Sequence, residues 1–152
     1  MIGLIQRVTR AEVSAGGRPL GAIGPGMLAL IGVKREDEPR DADRLLERLL
    51  SYRIFADEND RMNRSLAETA GGLLLVPQFT LAADTARGSR AGFSTAAPPA
   101  QARVLFAYLL ERARARHAPV AAGEFGAHMQ VTLVNDGPVT IIIDTKNKNV
   151  II

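Results

Sequence analysis

The chain has 152 residues, of which 47% are hydrophobic, and this size predicts a single compact domain over residues 1–152. It contains no cysteine and only two histidines, which excludes disulfide bonds, thiolate metal sites, a cysteine nucleophile and a three-histidine metal site. The net charge of +3 excludes a protein that coats DNA, but it fits a polyanionic partner if the cations are clustered.

The first third of the chain is predicted to be rich in strands. Residues 2–8 and 27–33 are short apolar runs bounded by turn residues, which is typical of strands with a buried face. Turns at residues 15–18 and 24–26 leave a short strand over 20–23, so the simplest start is a β-meander. The first residues lack the features of a secretory signal and no apolar run could cross a bilayer, so we expect a cytoplasmic protein without a membrane partner.

Two helices are predicted further along. After Asp41, leucines recur at helical spacing with charged residues on the other side, and Pro39 and Asp41 mark the start of this helix. A second helix is predicted from Pro98-Pro99 to about residue 117. Its predicted inner stripe consists of Val104, Leu105, Tyr108, Leu109 and the stem of Arg112.

Three later strands are predicted, over residues 73–79, 130–134 and 139–144, with a turn at 135–138. Residues 82–97 form a long polar segment that carries glycine and arginine. Loops of this length inside a compact domain are usually functional or mobile. Strands therefore outnumber helices, and the helices are expected to pack on a sheet.

Several stretches match functional motifs only in part. Residues 57–68 place three oxygen-bearing side chains at calcium-loop positions, but Met62 stands where the sharp turn needs glycine, so a solvated turn is the better interpretation. His128 is a candidate general base, although a lone histidine beside a strand is more often a packed or surface imidazole. The serines and glycines match no hydrolase elbow, dinucleotide or P-loop template. No metal or cofactor is predicted.

Two segments concentrate polar groups where strands end. Residues 77–81, Pro-Gln-Phe-Thr-Leu, place an amide, an aromatic ring and a hydroxyl in succession, which suits either an active site or a strand that simply ends. Residues 135–140, Asn-Asp-Gly-Pro-Val-Thr, predict a tight turn in which the Gly-Pro bond is a candidate cis peptide. Chemistry alone favours an ordinary turn there.

Together, these segments resemble the paired signatures of the D-aminoacyl-tRNA deacylases, Ser-Gln-Phe-Thr-Leu and, about sixty residues later, Asn-x-Gly-Pro-Val-Thr. Other stretches follow the family's order and approximate spacing, and the resemblance extends to about residue 144. These stretches are Gln6-Arg7-Val8, Arg53-Ile54-Phe55 with residues 57–63, residues 96–99 and residues 125–131.

The resemblance implies an α/β fold of the α+β type, with antiparallel sheets in a barrel-like layered sandwich and helices packed outside. It implies a homodimer whose active site lies at the interface. A cis bond between Gly137 and Pro138 would present adjacent carbonyl oxygens to the partner's substrate, and thereby reject L residues while accepting D residues and glycine. Arg7 would brace this loop. Phe125 and Met129 would hold the terminal adenosine of tRNA.

The implied reaction is hydrolysis of the ester between a D-aminoacyl group, or glycine mischarged on tRNA(Ala), and the terminal ribose. Because this ester is already activated, positioning and oxyanion stabilisation can replace a triad. The backbone amides near Phe79 and Thr80 are candidates for the oxyanion site, and Gln78 for orienting the ribose or carbonyl. Thr80 as nucleophile lacks an evident base, whereas assistance by the tRNA 2′-hydroxyl needs none. Arg87 and Arg90 are candidates for tRNA phosphate contacts.

One residue departs from the family pattern. Pro77 stands where serine is usual, and it resembles animal relatives that have a trans Gly-Pro bond and clear L-alanine from mischarged tRNA. Phe79 and Val139-Thr140 match the D-specific branch, which we favour. Since proline has neither an N–H nor a hydroxyl, Pro77 cannot make the hydrogen bonds that the family's serine donates. A non-catalytic RNA-binding domain on the same scaffold is the remaining alternative, and retention of both signatures argues against it.

Overall fold

The computed structural model describes residues 1–146. The helices are α1 (Pro39–Ser51), α2 (Leu66–Thr69) and α3 (Pro99–Arg116). The strands are β1 (Ile2–Ala15), β2 (Arg18–Ile23), β3 (Gly26–Gly32), β4 (Phe55–Ala56), β5 (Met62–Arg64), β6 (Gly72–Pro77), β7 (Val120–Ala122) and β8 (Met129–Asp144). The helices of this part of the chain are all too short or too polar to cross a membrane. The predicted domain boundary at residue 152 lies outside the described residues.

The long strand β1 organises the sheet. β8 pairs antiparallel with β1 along almost its whole length, while β3 and β2 pair with its first and second halves on the other side. β6 and β7 continue from β3 in parallel. An added Cβ at Gly21 of β2 would lie 3.0 Å from Ala121 Cβ of β7, so the sheet curls into a nearly closed barrel. The predicted barrel with outer helices is confirmed, but the sheet is not wholly antiparallel as predicted, because β3, β6 and β7 pair in parallel. The predicted meander is also wrong, because β3 pairs with β1 rather than β2.

Two apolar cores fill the two faces of this sheet. The first lies between the sheet and the helices, and it includes the fully buried Leu45, Leu46 and Leu49 of α1. The second contains side chains from strands alone, such as Val13 and Leu74, and therefore fills the barrel. Burial of one such leucine contributes roughly 1.5–3 kcal/mol, so both faces help to hold the curvature.

The start of α1 follows the predicted chemistry. Pro39 is the first helical residue, where its missing N–H costs nothing. The Asp41 carboxylate accepts a hydrogen bond of 2.9 Å from the Glu38 N–H, which satisfies one free donor of the first turn. The predicted start and buried face of this helix are confirmed.

The inner stripe of α3 was only partly predicted. Leu105 and Leu109 are buried, but Val104 is 67% exposed and Arg112 pairs with Asp43 of α1 at 3.1 Å. The prediction is wrong for Val104, because this residue lies two positions after the buried Ala102 and therefore on the opposite side of a helix with 3.6 residues per turn. The buried residues of α3 are Ala102, Leu105, Phe106, Leu109 and Ala113.

The last predicted turn is a bulge inside a strand. The predicted strands 130–134 and 139–144 are one strand, β8, since both halves pair with β1. Gln6 pairs with Thr140 and Val8 pairs with Asn135, so residues 136–139 have only Arg7 opposite them. The prediction of a turn between separate strands is therefore wrong: four residues are pushed out of a continuous ladder.

Candidate active site

A cavity of about 450 Å³ opens where β6 ends. Its volume falls in the range of small-ligand pockets. The predicted strand over 73–79 is too long, because β6 stops at Pro77 and a 3₁₀ turn over Phe79–Ala82 follows. The walls include four predicted site residues and His128. The four are Gln78, Phe79, Phe125 and Met129.

The 3₁₀ turn leaves two backbone donors without acceptors. The Gln78 N–H donates to the Ile31 carbonyl at 2.7 Å, which is the last link of this segment to the sheet. The next two N–H groups, of Phe79 and Thr80, have no protein acceptor within residues 1–146, as expected for the first donors of a helical turn. The Gln78 side-chain amide donates to the Thr80 hydroxyl. Two adjacent N–H groups are therefore available to a ligand.

The long loop after the 3₁₀ turn brings a second aromatic ring against Phe79. Asp84 and Gly92 pair through hydrogen bonds of 2.7 and 2.9 Å, which folds residues 82–97 back on themselves. As a result, Phe93 packs on Phe79 with ring centroids 5.1 Å apart. Both rings are exposed, Phe79 by 57% and Phe93 by 41%. No motif pointed to Phe93; its aromatic side chain in a polar loop was the signal that sequence reasoning missed.

A tight turn presents Phe125 and Met129 to the same cavity. The turn has Gly126 at a φ of +82°, which favours glycine. The Glu124 N–H donates to Met129 Sδ at 3.4 Å. A Cβ at Gly123 would lie 2.8 Å from that sulfur, so only glycine permits this approach. The ring and the thioether therefore project from one preformed segment.

Arg7 connects the bulge of β8 to the segment that precedes β4. Its Nε donates to the Asp136 carbonyl at 3.1 Å and lies 3.2 Å from the Asp136 carboxylate. Its Nη1 donates to the Ile54 carbonyl at 2.7 Å. The Arg7 side chain is only 17% exposed, so these bonds are largely shielded from water.

The bulge is also held by its own residues. The Asn135 side chain donates to the Thr140 hydroxyl at 3.0 Å and accepts from the Val139 N–H at 3.2 Å. The Gly137–Pro138 peptide bond is cis, and Gly137 has a φ of +127°. A Cβ on Gly137 would lie 2.8 Å from Val139 Cγ2 and 2.9 Å from Arg7 Nη2, so the position requires glycine.

One chain does not bring all the predicted residues together. Gly137 and Pro138 line a second cavity of about 470 Å³, together with Arg7, and do not line the first. The exposed side chains of Thr80, Arg87 and Arg90 line neither cavity. The two signature segments are thus presented at separate places on the surface of the chain.

The loop after Asp57 is organised by hydrogen bonds within itself. The Asp57 carboxylate accepts from the backbone of Arg61 at 3.0 Å, from the Asn63 side chain at 2.8 Å and from the backbone of Asn59 at 2.9 Å. These bonds hold the pKa of Asp57 below its usual value, and the bond from the Arg61 N–H has the largest effect. Within residues 1–146, no group of three or more acidic or histidine side chains is arranged to hold a metal.

The fold and the cavity define a class: a small α+β domain whose barrel carries a small-ligand pocket with unbonded backbone donors beside aromatic and thioether side chains. The family profile described as D-Tyr-tRNA(Tyr) deacylase matches residues 4–144. The chain therefore belongs to the D-Tyr-tRNA(Tyr) deacylase family, as its sequence predicted. As a member of this family it is a deacylase, a hydrolytic enzyme.

Relatives over the whole length agree with this assignment. A protein of Azotobacter vinelandii (strain DJ / ATCC BAA-1303) named D-aminoacyl-tRNA deacylase is 59% identical over 144 residues, which cover 95% of this chain and 99% of the relative. A protein of the same name from Thioalkalivibrio sulfidiphilus (strain HL-EbGR7) is 60% identical over 144 residues, 95% of this chain and 97% of the relative.

Two solved structures share the fold. One is described as c-Myc DNA Unwinding Element Binding Protein and has a TM-score of 0.90 at 37% identity, with 95% of this chain and 98% of that chain covered. The other, described as a probable eukaryotic D-amino acid tRNA deacylase, has a TM-score of 0.81 at 15% identity, with 93% and 97% covered. The second likeness concerns the fold alone.

Proposed function

We propose that the chain hydrolyses the ester bond of D-aminoacyl-tRNA, and of glycine mischarged on tRNA(Ala), and releases free tRNA. The observation that carries this proposal is the cavity at the end of β6, where the free N–H groups of Phe79 and Thr80 adjoin a pocket walled by Phe125 and Met129. The names of the relatives at 59% and 60% identity point to the same substrate. This is a cytoplasmic reaction, because charged tRNA is used there.

The terminal adenosine occupies the cavity. Phe125 offers an aromatic face for stacking on the purine, and the Met129 thioether adapts to the ring beside it. Both side chains come from one turn, which the hydrogen bond from the Glu124 N–H to Met129 Sδ ties together and in which Gly123 leaves room for the sulfur, so the pocket is formed before the substrate arrives. Binding then costs little ordering of the protein.

The ester carbonyl lies over the 3₁₀ turn. Water attacks the carbonyl carbon, and the resulting oxyanion accepts hydrogen bonds from the N–H groups of Phe79 and Thr80. The C–O bond to the ribose then breaks, and the ribose oxygen takes up the proton that the water gives up. Gln78 orients the ribose or the carbonyl. The tRNA 2′-hydroxyl assists the attack, since the Thr80 hydroxyl is hydrogen-bonded to Gln78 and has no histidine or carboxylate within hydrogen-bond reach among residues 1–146.

The chain acts as a homodimer in which each protomer completes the other's site. The support is that Gly137 and Pro138 lie on an exposed bulge and line a cavity separate from the one beside Phe79. Arg7 braces this bulge from below. From the partner, the carbonyl oxygens of Gly137 and Pro138 meet the substrate α-amino group and leave no room for an L side chain.

Two observations favour alternative functions. Pro77 lines the cavity and has no N–H, as in relatives that clear L-alanine. The structure described as c-Myc DNA Unwinding Element Binding Protein, at 37% identity, favours a nucleic-acid-binding domain as the second alternative. Arg87 and Arg90, exposed on the long loop, meet tRNA phosphates in either case.

A matched panel of charged tRNAs tests the proposal. Purified protein without added metal is incubated with D-Tyr-, L-Tyr-, Gly- and L-Ala-tRNA, and release of the amino acid is followed. Rapid loss of D-Tyr and Gly with L-Tyr spared is the expected result. Selective loss of L-Ala assigns the chain to the other branch, and hydrolysis of none of the four leaves the binding domain.

A further inference from the structure

Arg103 of α3 stacks on one wall of the cavity. Its guanidinium carbon lies 4.9 Å from the centroid of the Phe125 ring. A cation within about 6 Å of an aromatic face is attracted by the negative charge of the ring's π system. The cavity wall that we assign to adenosine is therefore backed by a positive charge.

The charge on Arg103 is not neutralised by the protein. Its side chain is exposed and has no ion-pair or hydrogen-bond partner within residues 1–146. The acidic residue beside Phe125 is Glu124, and its carboxylate is already bound by Arg18 at 2.7 Å. Arg103 also lies at the cavity rim, because its neighbour Ala102 lines the cavity and a Cβ on Gly126 would lie 3.5 Å from its Nη2.

We propose that Arg103 positions the Phe125 ring and binds the phosphodiester on the 5′ side of the terminal adenosine. This inference rests on the proposed function, since it assumes that adenosine occupies the cavity. A guanidinium can stack through its face while its N–H groups donate in the plane to two phosphate oxygens. A phosphate attached to an adenosine on Phe125 supplies the anion that the surrounding protein lacks.

Two small substrates separate the two roles. D-tyrosyl adenosine contains the ester and the purine but no phosphate, whereas the D-tyrosyl ester of the dinucleotide CpA adds one phosphodiester and the cytidine attached to it. The variant Arg103→Met keeps the length of the side chain and loses its charge. Arg103→Lys keeps the charge but not the planar fork. Arg114→Met, on the same helix and exposed, is the matched control.

We expect Arg103→Met to raise KM for the CpA ester about tenfold, as for loss of a charge-assisted hydrogen bond, with kcat nearly unchanged. For the adenosine ester KM rises only about two- to threefold, because that substrate has no phosphate and is affected only through the position of the Phe125 ring. Arg103→Lys gives an intermediate KM, and Arg114→Met matches the wild type on both. With D-Tyr-tRNA, Arg103→Met also lowers the slope of log KM against log salt by about 0.7.

The outcomes identify which idea fails. If Arg103→Met and the wild type have the same KM for both esters, the inference is overturned while the proposed function stands. Equal losses on both esters reject the phosphate contact. If the wild type cleaves neither the esters nor D-Tyr-tRNA, the proposed function itself fails. Thermal unfolding of each variant checks that the fold is intact.

Discussion

Replacing Arg7 by lysine tests how the bulge of β8 is held. The arginine reaches two carbonyl oxygens in different directions, Asp136 from Nε at 3.1 Å and Ile54 from Nη1 at 2.7 Å. Lysine carries a single nitrogen at the end of its chain and keeps at most one of these contacts while preserving the charge. The change therefore removes at least one of the two hydrogen bonds and leaves the positive charge at position 7 nearly unchanged.

The expected loss of activity follows from the hydrogen bond that is lost. A hydrogen bond from a charged donor contributes about 1.5–3 kcal/mol, and with the side chain only 17% exposed little of this is returned by water. If the bulge must be restored to its position for catalysis, kcat/KM on D-Tyr-tRNA falls about 10- to 150-fold. Discrimination against L-Tyr-tRNA weakens as well, because we propose that Gly137 and Pro138 exclude the L side chain.

The assay is single-turnover deacylation of D-Tyr- and L-Tyr-tRNA by Arg7→Lys, with thermal unfolding measured on the same samples. Arg10→Lys is the matched control, since Arg10 is an exposed arginine of the same strand. Wild-type rate and wild-type selectivity in Arg7→Lys would refute the reasoning that the forked contact positions the bulge.

Three further results are expected. Leu109→Ala removes a fully buried side chain of α3 and should lower the free energy of unfolding by about 2–5 kcal/mol in urea titrations, and a loss below about 1 kcal/mol contradicts the described packing. Thr80→Ala should keep substantial deacylase activity, and complete loss of hydrolysis with tRNA binding intact would reject assistance by the 2′-hydroxyl. Burial raises the pKa of Asp144, but the hydrogen bonds from the Lys34 side chain and the Lys146 N–H, together with the nearby positive charges, outweigh it, so the pKa lies below its usual value. This carboxylate therefore stabilises the fold above about pH 4 and loses its effect as the pH falls through the lowered pKa. Asp144→Asn should therefore flatten the acid side of a plot of unfolding free energy against pH. An unchanged plot would contradict that assignment.

The elements that the sequence predicts well are those with a strong periodic signal. The leucines of α1 recur at helical spacing and are buried as expected, and Pro39 starts the helix. The short strands β4, β5 and β7 were missed, because two or three residues carry no period. The pairing of β3 with β1 was also missed, since local turn residues do not determine which strands become neighbours.

The candidate site was predictable as motifs but not as geometry. The resemblance pointed to Gln78 and Phe125, which line one cavity. Neither the resemblance nor residue chemistry pointed to Phe93 or Arg103, because each meets its ring only through folding of distant segments. The shared active site remains a prediction, and Gly137 lies apart from the cavity within one chain.

The most direct test of a site completed by two protomers is the activity of a defined mixed dimer. Phe79→Pro disables the cavity because it removes one of the two free N–H groups, at the first residue of the 3₁₀ turn, where proline is tolerated. Gly137→Ala disables the bulge because its Cβ would lie 2.8 Å from Val139 Cγ2. Each variant alone should be inactive on D-Tyr-tRNA. A dimer purified with one protomer of each kind holds one complete site, so the account predicts about half of the wild-type rate. A mixed dimer as inactive as its parents would contradict it.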